Sequence, residues 1–452
     1  MRHHEIVFQF HEYIFGITFV KNLYLPQGKH WQYGDIELFI KGVILNILKP
    51  GSKDMKKMKV SCVGCSLADF VYAHVDFSSD AFKKYMSKSD GDGGLNPGHL
   101  VFTEGLEEFS GKPFELIKNE ITGGVKPDAF NIGGPAIVAL INAAQLLYDQ
   151  NIEFDFYGAL GQDDTAEKIL SILKQTPVNI DNYIQVPGFS PFTDVFSDPG
   201  YHGGKGERTF VNNIGSAWKY TPEMLGESFF DADIVFFGAT ALVPLIHDHL
   251  TTLLKKGREK GCANIVTTVF DFRNEKKNAG GKWPLGESDE SYRLIDLLIV
   301  DWEEAMKLSG KKNLDDAVAF FTGNGLHSLI ITHGAENFYV WSDGSFFKKQ
   351  ELTALPVCKL VGERIKENPA SRGDTTGCGD NFAGGVLASV ARQFYDGREG
   401  SMDIIEASSW GCASGGFACF YIGGTFLEKF PGEKKAGVSE FQQAFMKQLS
   451  AD

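Results

Sequence analysis

No stretch of the chain reaches the roughly 18 consecutive apolar residues that a membrane-spanning helix requires. A secretory signal is not expected either, because His11 and Glu12 interrupt the early apolar stretch and no small-residue cleavage site follows. Basic charge is in short supply: 44 Lys and Arg face 58 Asp and Glu, a formal net charge of −14. That balance speaks against a nucleic-acid groove and a polybasic membrane patch, so neither partner is expected. Cysteine is scarce and odd in number, with seven scattered residues, Cys62, Cys65, Cys262, Cys358, Cys378, Cys412 and Cys419. Cys62 and Cys65 form the one close CxxC, but no second ligand pair stands at zinc spacing. They read as small residues of a buried strand, and free thiols favour a reducing compartment, the cytoplasm. Repeats of fixed period and low-complexity tracts are lacking too.

What is present describes a globular chain. Of 452 residues, 43% are hydrophobic and 23% charged, enough for a large core without disulfide staples. Glycine is plentiful, at 51 residues, which points to tight turns and close backbone approaches. Residues 1–57, rich in Phe, Tyr and His, are expected to be an extension outside the core, with a short amphipathic helix over 36–48 and with Met55 or Met58 as the better start. From Lys59 onward, apolar runs at 59–63, 154–159, 234–238, 265–270, 297–300 and 328–332 alternate with helical stretches. Those stretches are 135–148, 163–174, 244–260, 302–308, 314–321, 379–394 and 402–421. Such alternation is the pattern of a parallel sheet covered by helices, an α/β fold. Two segments break the rhythm: 76–130, with a polar glycine-rich loop, and 181–215, which alternates like half-exposed antiparallel strands. Together they are expected to form a lid over the strand ends, where open α/β sheets bind ligands.

The chemistry concentrates in Gly373-Asp374-Thr375-Thr376-Gly377-Cys378-Gly379-Asp380-Asn381-Phe382, which runs into a helix of small and apolar residues. Backbone N–H groups at that helix start make an anion site, and glycines let a phosphate approach. Two readings of Asp380 stand. It takes a proton from an attacking hydroxyl beside the bound phosphate, or it caps the helix and complements its dipole.

The seven residues Asp374 to Asp380 resemble the signature of the ribokinase-like (PfkB) family of sugar and nucleoside kinases, Asp-Thr-x-Gly-Ala-Gly-Asp, departing only at Cys378. The resemblance implies a three-layer domain over 58–452, with a mainly parallel central sheet and a small β-strand lid. It makes Asp380 the base and the N–H groups of Gly377, Cys378 and Gly379 an anion hole. Asp69, Gly133, Gly134 and Arg208 then stand where the family meets its acceptor. The Asn expected after the glycine pair is Val138, and the nearest amide is Asn142. Thr332-His333-Gly334 matches the nucleotide site, with Asn337 where a further Gly is usual; Asp374, Thr375, Thr376 and Ser414 join that site. Asp301 and Glu304 match the Asn-x-x-Glu that positions magnesium, generally through water. ATP and Mg2+ are thus the implied cofactors, a monovalent cation is a further option, and a homodimer through the lid is admitted.

The function so implied is transfer of the γ-phosphoryl of ATP to an alcohol group of a carbohydrate. The alternative is a nucleoside (adenosine-like) kinase, favoured by the long stretch between Asp69 and Gly133; a third reading is a non-catalytic sugar or nucleotide sensor on the same fold. Cys378 adds one expectation with two branches. At a helix start its thiol is reactive in the empty enzyme, or it packs inward as a small apolar residue.

Overall fold

The computed structural model describes residues 7–14, 17–24, 57–89, 91–204, 206–373 and 375–451. Contacts divide the chain into Met1–Met55 and Lys56–Asp452. In the first unit β1 (Val7–Ile14) and β2 (Ile17–Tyr24) pair antiparallel, with Val7 opposite Tyr24 and Ile14 opposite Ile17. The helix expected over 36–48 lies outside the described residues.

The second unit contains β3 (Met58–Gly64), β4 (Leu67–Tyr72), β5 (Leu100–Phe102), β6 (Ala129–Gly133), β7 (Ile152–Leu160), β8 (Tyr183–Gln185), β9 (Phe192–Asp198) and β10 (Glu207–Asn213). It continues with β11 (Ile234–Gly238), β12 (Ala263–Thr267), β13 (Leu297–Asp301), β14 (Ser328–Thr332), β15 (Phe338–Ser342) and β16 (Gln350–Leu355). Its longer helices are α1 (Thr103–Ser110), α2 (Phe114–Thr122), α3 (Pro135–Leu146), α4 (Asp164–Leu173), α5 (Leu250–Glu259), α6 (Trp302–Ser309) and α7 (Leu314–Gly323). Then follow α8 (Lys359–Glu367), α9 (Cys378–Tyr395), α10 (Ile404–Ala418) and α11 (Glu433–Ala451). Among the described residues no helix is long and apolar enough to cross a membrane.

The near-continuous apolar runs become strands buried on both faces, as a helix-covered parallel sheet requires. Nine strands take the order β16-β15-β14-β13-β12-β11-β3-β7-β8, parallel from β14 through β8 and antiparallel at β15 and β16. Strand periodicity builds two cores. Ile234 and Phe236 pack with α3, α9, α10 and α11, whereas Val235 and Phe237 pack with α5, α6 and α7. This is the three-layer α/β architecture.

A second sheet has the order β5-β10-β9-β4-β6. Its hairpin β9–β10 is antiparallel, as alternation over 181–215 implies, but β4–β9 and β5–β10 are parallel. Two boundaries differ from the sequence reading. The lid begins at Leu67 on β4, well before 76, and β8 joins the main sheet. Much of 76–130 is helical, because α1 and α2 bury Leu106, Phe114, Ile117 and Ile121 in a small core with Tyr72, Phe196 and Val211 behind the lid sheet. The helix expected over 244–260 is two, Pro244–His247 and Leu250–Glu259.

Candidate active site

The parallel strands end at one rim with Gly64, Gly238, Thr267, Asp301 and Thr332. Ligands bind at such rims. The glycine-rich turn enters α9 here. Gly377, the residue before the helix, has φ +72°, and a Cβ on it would lie 2.6 Å from Gly424 Cα. Gly379 instead faces open space, with nothing within 4 Å of where a Cβ would stand. The N–H of Cys378 reaches the Thr375 carbonyl at 3.3 Å. Asp374 lies outside the described residues.

Asn381 holds this turn in place. Its amide nitrogen donates to the carbonyls of Gly377 and Gly424, both at 2.8 Å, and its own backbone carbonyl accepts from Asn142 Nδ2 at 2.9 Å. Asn142, the amide nearest the missing family Asn, is fully buried and supports α9. Asn381 Oδ1 accepts from Lys434 Nζ at 2.7 Å, and Lys434 is 1% exposed.

Burial drives the Lys434 amine from its ordinary 10.5 down to about 7, against the opposing pull of Glu428. The groups facing it are Asn381, the Glu428 carboxylate and the Tyr421 ring at 5.8 Å. Between these two pKa values the unfolded chain carries a proton that the native state lacks. Native stability therefore rises with pH across that window, by about 1.4 kcal/mol per unit at most. Urea denaturation of wild type and Lys434→Met from pH 7 to 9 should show wild type gaining on the variant. Parallel pH slopes would contradict the assignment.

Asp380 is half-buried in the first turn of α9, and its surroundings raise its pKa to about 6. Glu304 is pushed up to about 7, chiefly by burial, with Asp301 and Asp380 adding repulsion. Thr268 Oγ1 donates to Glu304 at 2.5 Å. Asp301 caps α6, accepting from the Glu303 N–H at 2.9 Å, and Glu304 closes the capping box. Glu304, raised in part by the neighbouring Asp301 and Asp380, offers with them oxygen-only donors that fit a hard divalent cation keeping most of its water. Among the described residues no cluster of three or more His, Cys, Asp or Glu forms a full metal cage.

The lid supplies the other wall. Asp69 on β4 stands opposite Asn131 on β6 and Thr193 on β9, and Thr193 stands opposite Asn212 on β10. Opposed residues share a face, so these four form one polar row, and alternation adds Phe210 and Arg208 to it. Gly133 is required beside Asp69, whose carboxylate occupies the space a Cβ would take. Gly134 has φ +100° and leads into α3. Arg208 reaches the glycine-rich turn: one guanidinium nitrogen donates to Thr376 Oγ1 at 2.5 Å and another approaches Thr375 Oγ1 at 3.3 Å. It thus joins the lid to the anion turn, away from Asp69.

Of the residues expected at the nucleotide, Thr332 Oγ1 contacts the Val300 carbonyl at 3.4 Å and Gly334 has φ +56°. His333 stacks on Trp302 with centroids 4.7 Å apart, a packed loop residue. Ser414 is a correction. It is 0% exposed between α9 and α10, where a Cβ on Gly385 would lie 2.6 Å from its hydroxyl, so it does not reach the cleft. Sequence reasoning missed Asn131, Thr193, Asn212, Phe210, Thr268, Asn381 and Lys434. For the lid residues the only signal is strand alternation around Asp69, which becomes usable once the register is known.

Residues 118–429 match the profile described as pfkB family carbohydrate kinase. A cytidine kinase from Thermococcus kodakarensis is 33% identical over 98 residues, which are 22% of this chain and 30% of that protein's length. Adenosine kinase from Schistosoma mansoni in complex with 2-fluoroadenosine superposes with TM-score 0.60 at 16% identity, covering 82% of this chain and 98% of its own. A ribokinase from Thermotoga maritima gives TM-score 0.54 at 14% identity, covering 85% and 99%. These structures share the fold seen here. The family match runs from α2 in the lid, through the glycine-rich turn, to the segment after α10, and the chain belongs to the pfkB carbohydrate kinase family.

Proposed function

We propose that the protein transfers the γ-phosphoryl of ATP to an alcohol group of a sugar ring, with residues 58–452 carrying the activity. The observation that carries this reading is Asp380 beside the anion turn, with Arg208 of the lid donating to Thr376 of that turn. Asp380 takes the hydroxyl proton as the new oxygen–phosphorus bond forms and the bond to the leaving ADP breaks. The N–H groups of Gly377 and Gly379 are the ones left for the phosphoryl oxygens, because that of Cys378, expected to join them, donates to the Thr375 carbonyl at 3.3 Å and shapes the turn. Arg208 adds positive charge there and lets lid closure register at the turn. Asp69, with Gly133 and Gly134 leaving room, holds the acceptor's other hydroxyls. Thr332, Gly334, Thr375 and Thr376 line the nucleotide side. Magnesium would be held by Glu304 through water, with Asp301 behind it, and would supply charge to the phosphate oxygens.

A nucleoside acceptor is the second reading. It is supported by Phe210, a half-buried ring on the acceptor-facing side of the lid, and by the adenosine and cytidine kinases among the similar proteins. A coupled ADP-release screen over free sugars and nucleosides decides between the two. Acceptor-independent ATP hydrolysis alone, or no turnover with any acceptor, would reject the kinase reading. With the acceptor in hand, Asp69→Ala should raise its KM by roughly 10- to 100-fold, the worth of a charge-assisted hydrogen bond. An unchanged KM would remove Asp69 from acceptor binding.

A further inference from the structure

We infer that Cys378 and Cys419 are a redox pair whose oxidation to a disulfide deforms the glycine-rich turn and switches the site off. The two sulfurs lie 3.7 Å apart, in van der Waals contact. Both residues are half-buried, whereas Cys62, Cys65, Cys262, Cys358 and Cys412 are buried. A small oxidant therefore reaches this pair before the others. Cys378 is the first residue of α9 and follows Gly377 directly. Cys419 is the capping residue just after α10, one turn beyond Gly415, where a Cβ would lie 2.9 Å from the Cys378 carbonyl. The missing side chain at Gly415 is what brings the two helices close enough for their thiols to meet.

A disulfide needs about 2.0 Å between sulfurs, so the bond draws the two sulfurs together by about 1.7 Å, and the part that rotation of the side chains does not absorb falls on the turn. The pull acts at both ends of the turn. Cys378 closes it on one side, and on the other the Gly373 N–H donates to the Cys419 carbonyl at 2.8 Å. Between these anchors stand Thr375, Thr376 and Gly377, whose positions align the phosphate. Misplacing a catalytic group by about 1 Å can cost on the order of 100-fold.

The chemistry balances with a peroxide as oxidant. One thiolate attacks a peroxide oxygen, the O–O bond breaks, and a sulfenic acid forms while the released hydroxide takes up a proton as water. The second thiolate attacks the sulfenic sulfur, the S–S bond forms, and hydroxide leaves and is protonated to a second water. Two thiols lose two electrons, hydrogen peroxide gains them, and two waters are produced. A dithiol reductant reverses the bond by exchange.

The bond is read by mass, whatever the acceptor; its effect on turnover rests on the phosphotransfer reading. The full chain is treated with hydrogen peroxide, digested without reduction, and mapped by mass spectrometry. A Cys378–Cys419 linked peptide is expected, together with a fall in turnover of at least 10-fold that dithiothreitol restores. Cys419→Ala should have wild-type basal turnover, form no linked peptide and lose the dithiothreitol-reversible part of the inhibition. Peroxide treatment that leaves the two cysteines unlinked would overturn the inference, and this holds even if the variant folds poorly. Turnover unchanged in linked protein, or reversible inhibition surviving in Cys419→Ala, would overturn the switch. Failure of untreated protein to phosphorylate any acceptor would count against the phosphotransfer reading and leave the linked peptide to stand by itself.

Discussion

Asp380→Asn should bind ATP as wild type does and lose turnover by about 10²–10⁴, the usual contribution of a general base. The substitution keeps the size of the side chain and removes its negative charge and with it the capacity to take a proton. Asp380 suits the task because its surroundings hold its pKa near 6. It is then ionised at neutral pH yet more basic than a carboxylate in water, which improves proton transfer in the transition state. The loss corresponds to about 3–5 kcal/mol of barrier. ATP affinity by calorimetry, melting temperature and single-turnover rate together separate this outcome from misfolding. A variant within a few fold of wild-type turnover would return Asp380 to the capping role that its place in the first turn of α9 also allows.

Asp380 and the turn before it were legible in the sequence because their geometry is local. Seven consecutive residues encode the loop, the helix start and the carboxylate, while the distant contacts that hold the turn, to Asn142, Gly424 and Lys434, could not be read from them. Six of the seven parallel strands were legible for a similar reason, since burial on both faces writes each as a short apolar run, whereas the three-residue β8 is too short to show one. The lid was harder. Gly91, Gly93, Gly94 and Gly98 punctuate its first segment and read as loop, yet the helices after them bury a core of their own. Asn131, Thr193 and Asn212 are ordinary polar residues until β4, β6, β9 and β10 pair and bring them level with Asp69. Arg208 was found in the sequence but not its destination, because 168 positions separate it from Thr376. Ser414 fails for the opposite reason: small residues on a helix serve packing or ligand approach alike, and here they let α10 close on α9. The helix α11 carries Val438, Phe441 and Phe445 at helical spacing, a readable signal, but its Lys434 becomes meaningful only beside Asn381.

The turn itself is the place where one methyl group should cost most. Gly377→Ala asks an L-residue to adopt φ +72°, which costs roughly 1–2 kcal/mol by itself. The added Cβ would also lie 2.6 Å from the Cα of Gly424, a backbone atom that no rotamer change can move aside. Gly424 cannot yield easily, since a Cβ on it would already lie 3.1 Å from Val138 Cγ2 and its carbonyl holds the Asn381 amide at 2.8 Å. The turn must therefore shift, and with it the N–H groups proposed to meet the phosphoryl. Turnover should fall by about 100-fold or more, and the melting temperature should fall too. Gly379→Ala is the informative contrast. Its Cβ meets nothing within 4 Å, so the fold should be spared while the methyl occupies space the phosphate needs. Thermal denaturation and turnover measured on both variants distinguish the two effects: Gly377→Ala loses stability and activity, Gly379→Ala activity alone. Wild-type melting and wild-type turnover in Gly377→Ala would show that the turn has another conformation open to it, and would withdraw the anion hole from the mechanism.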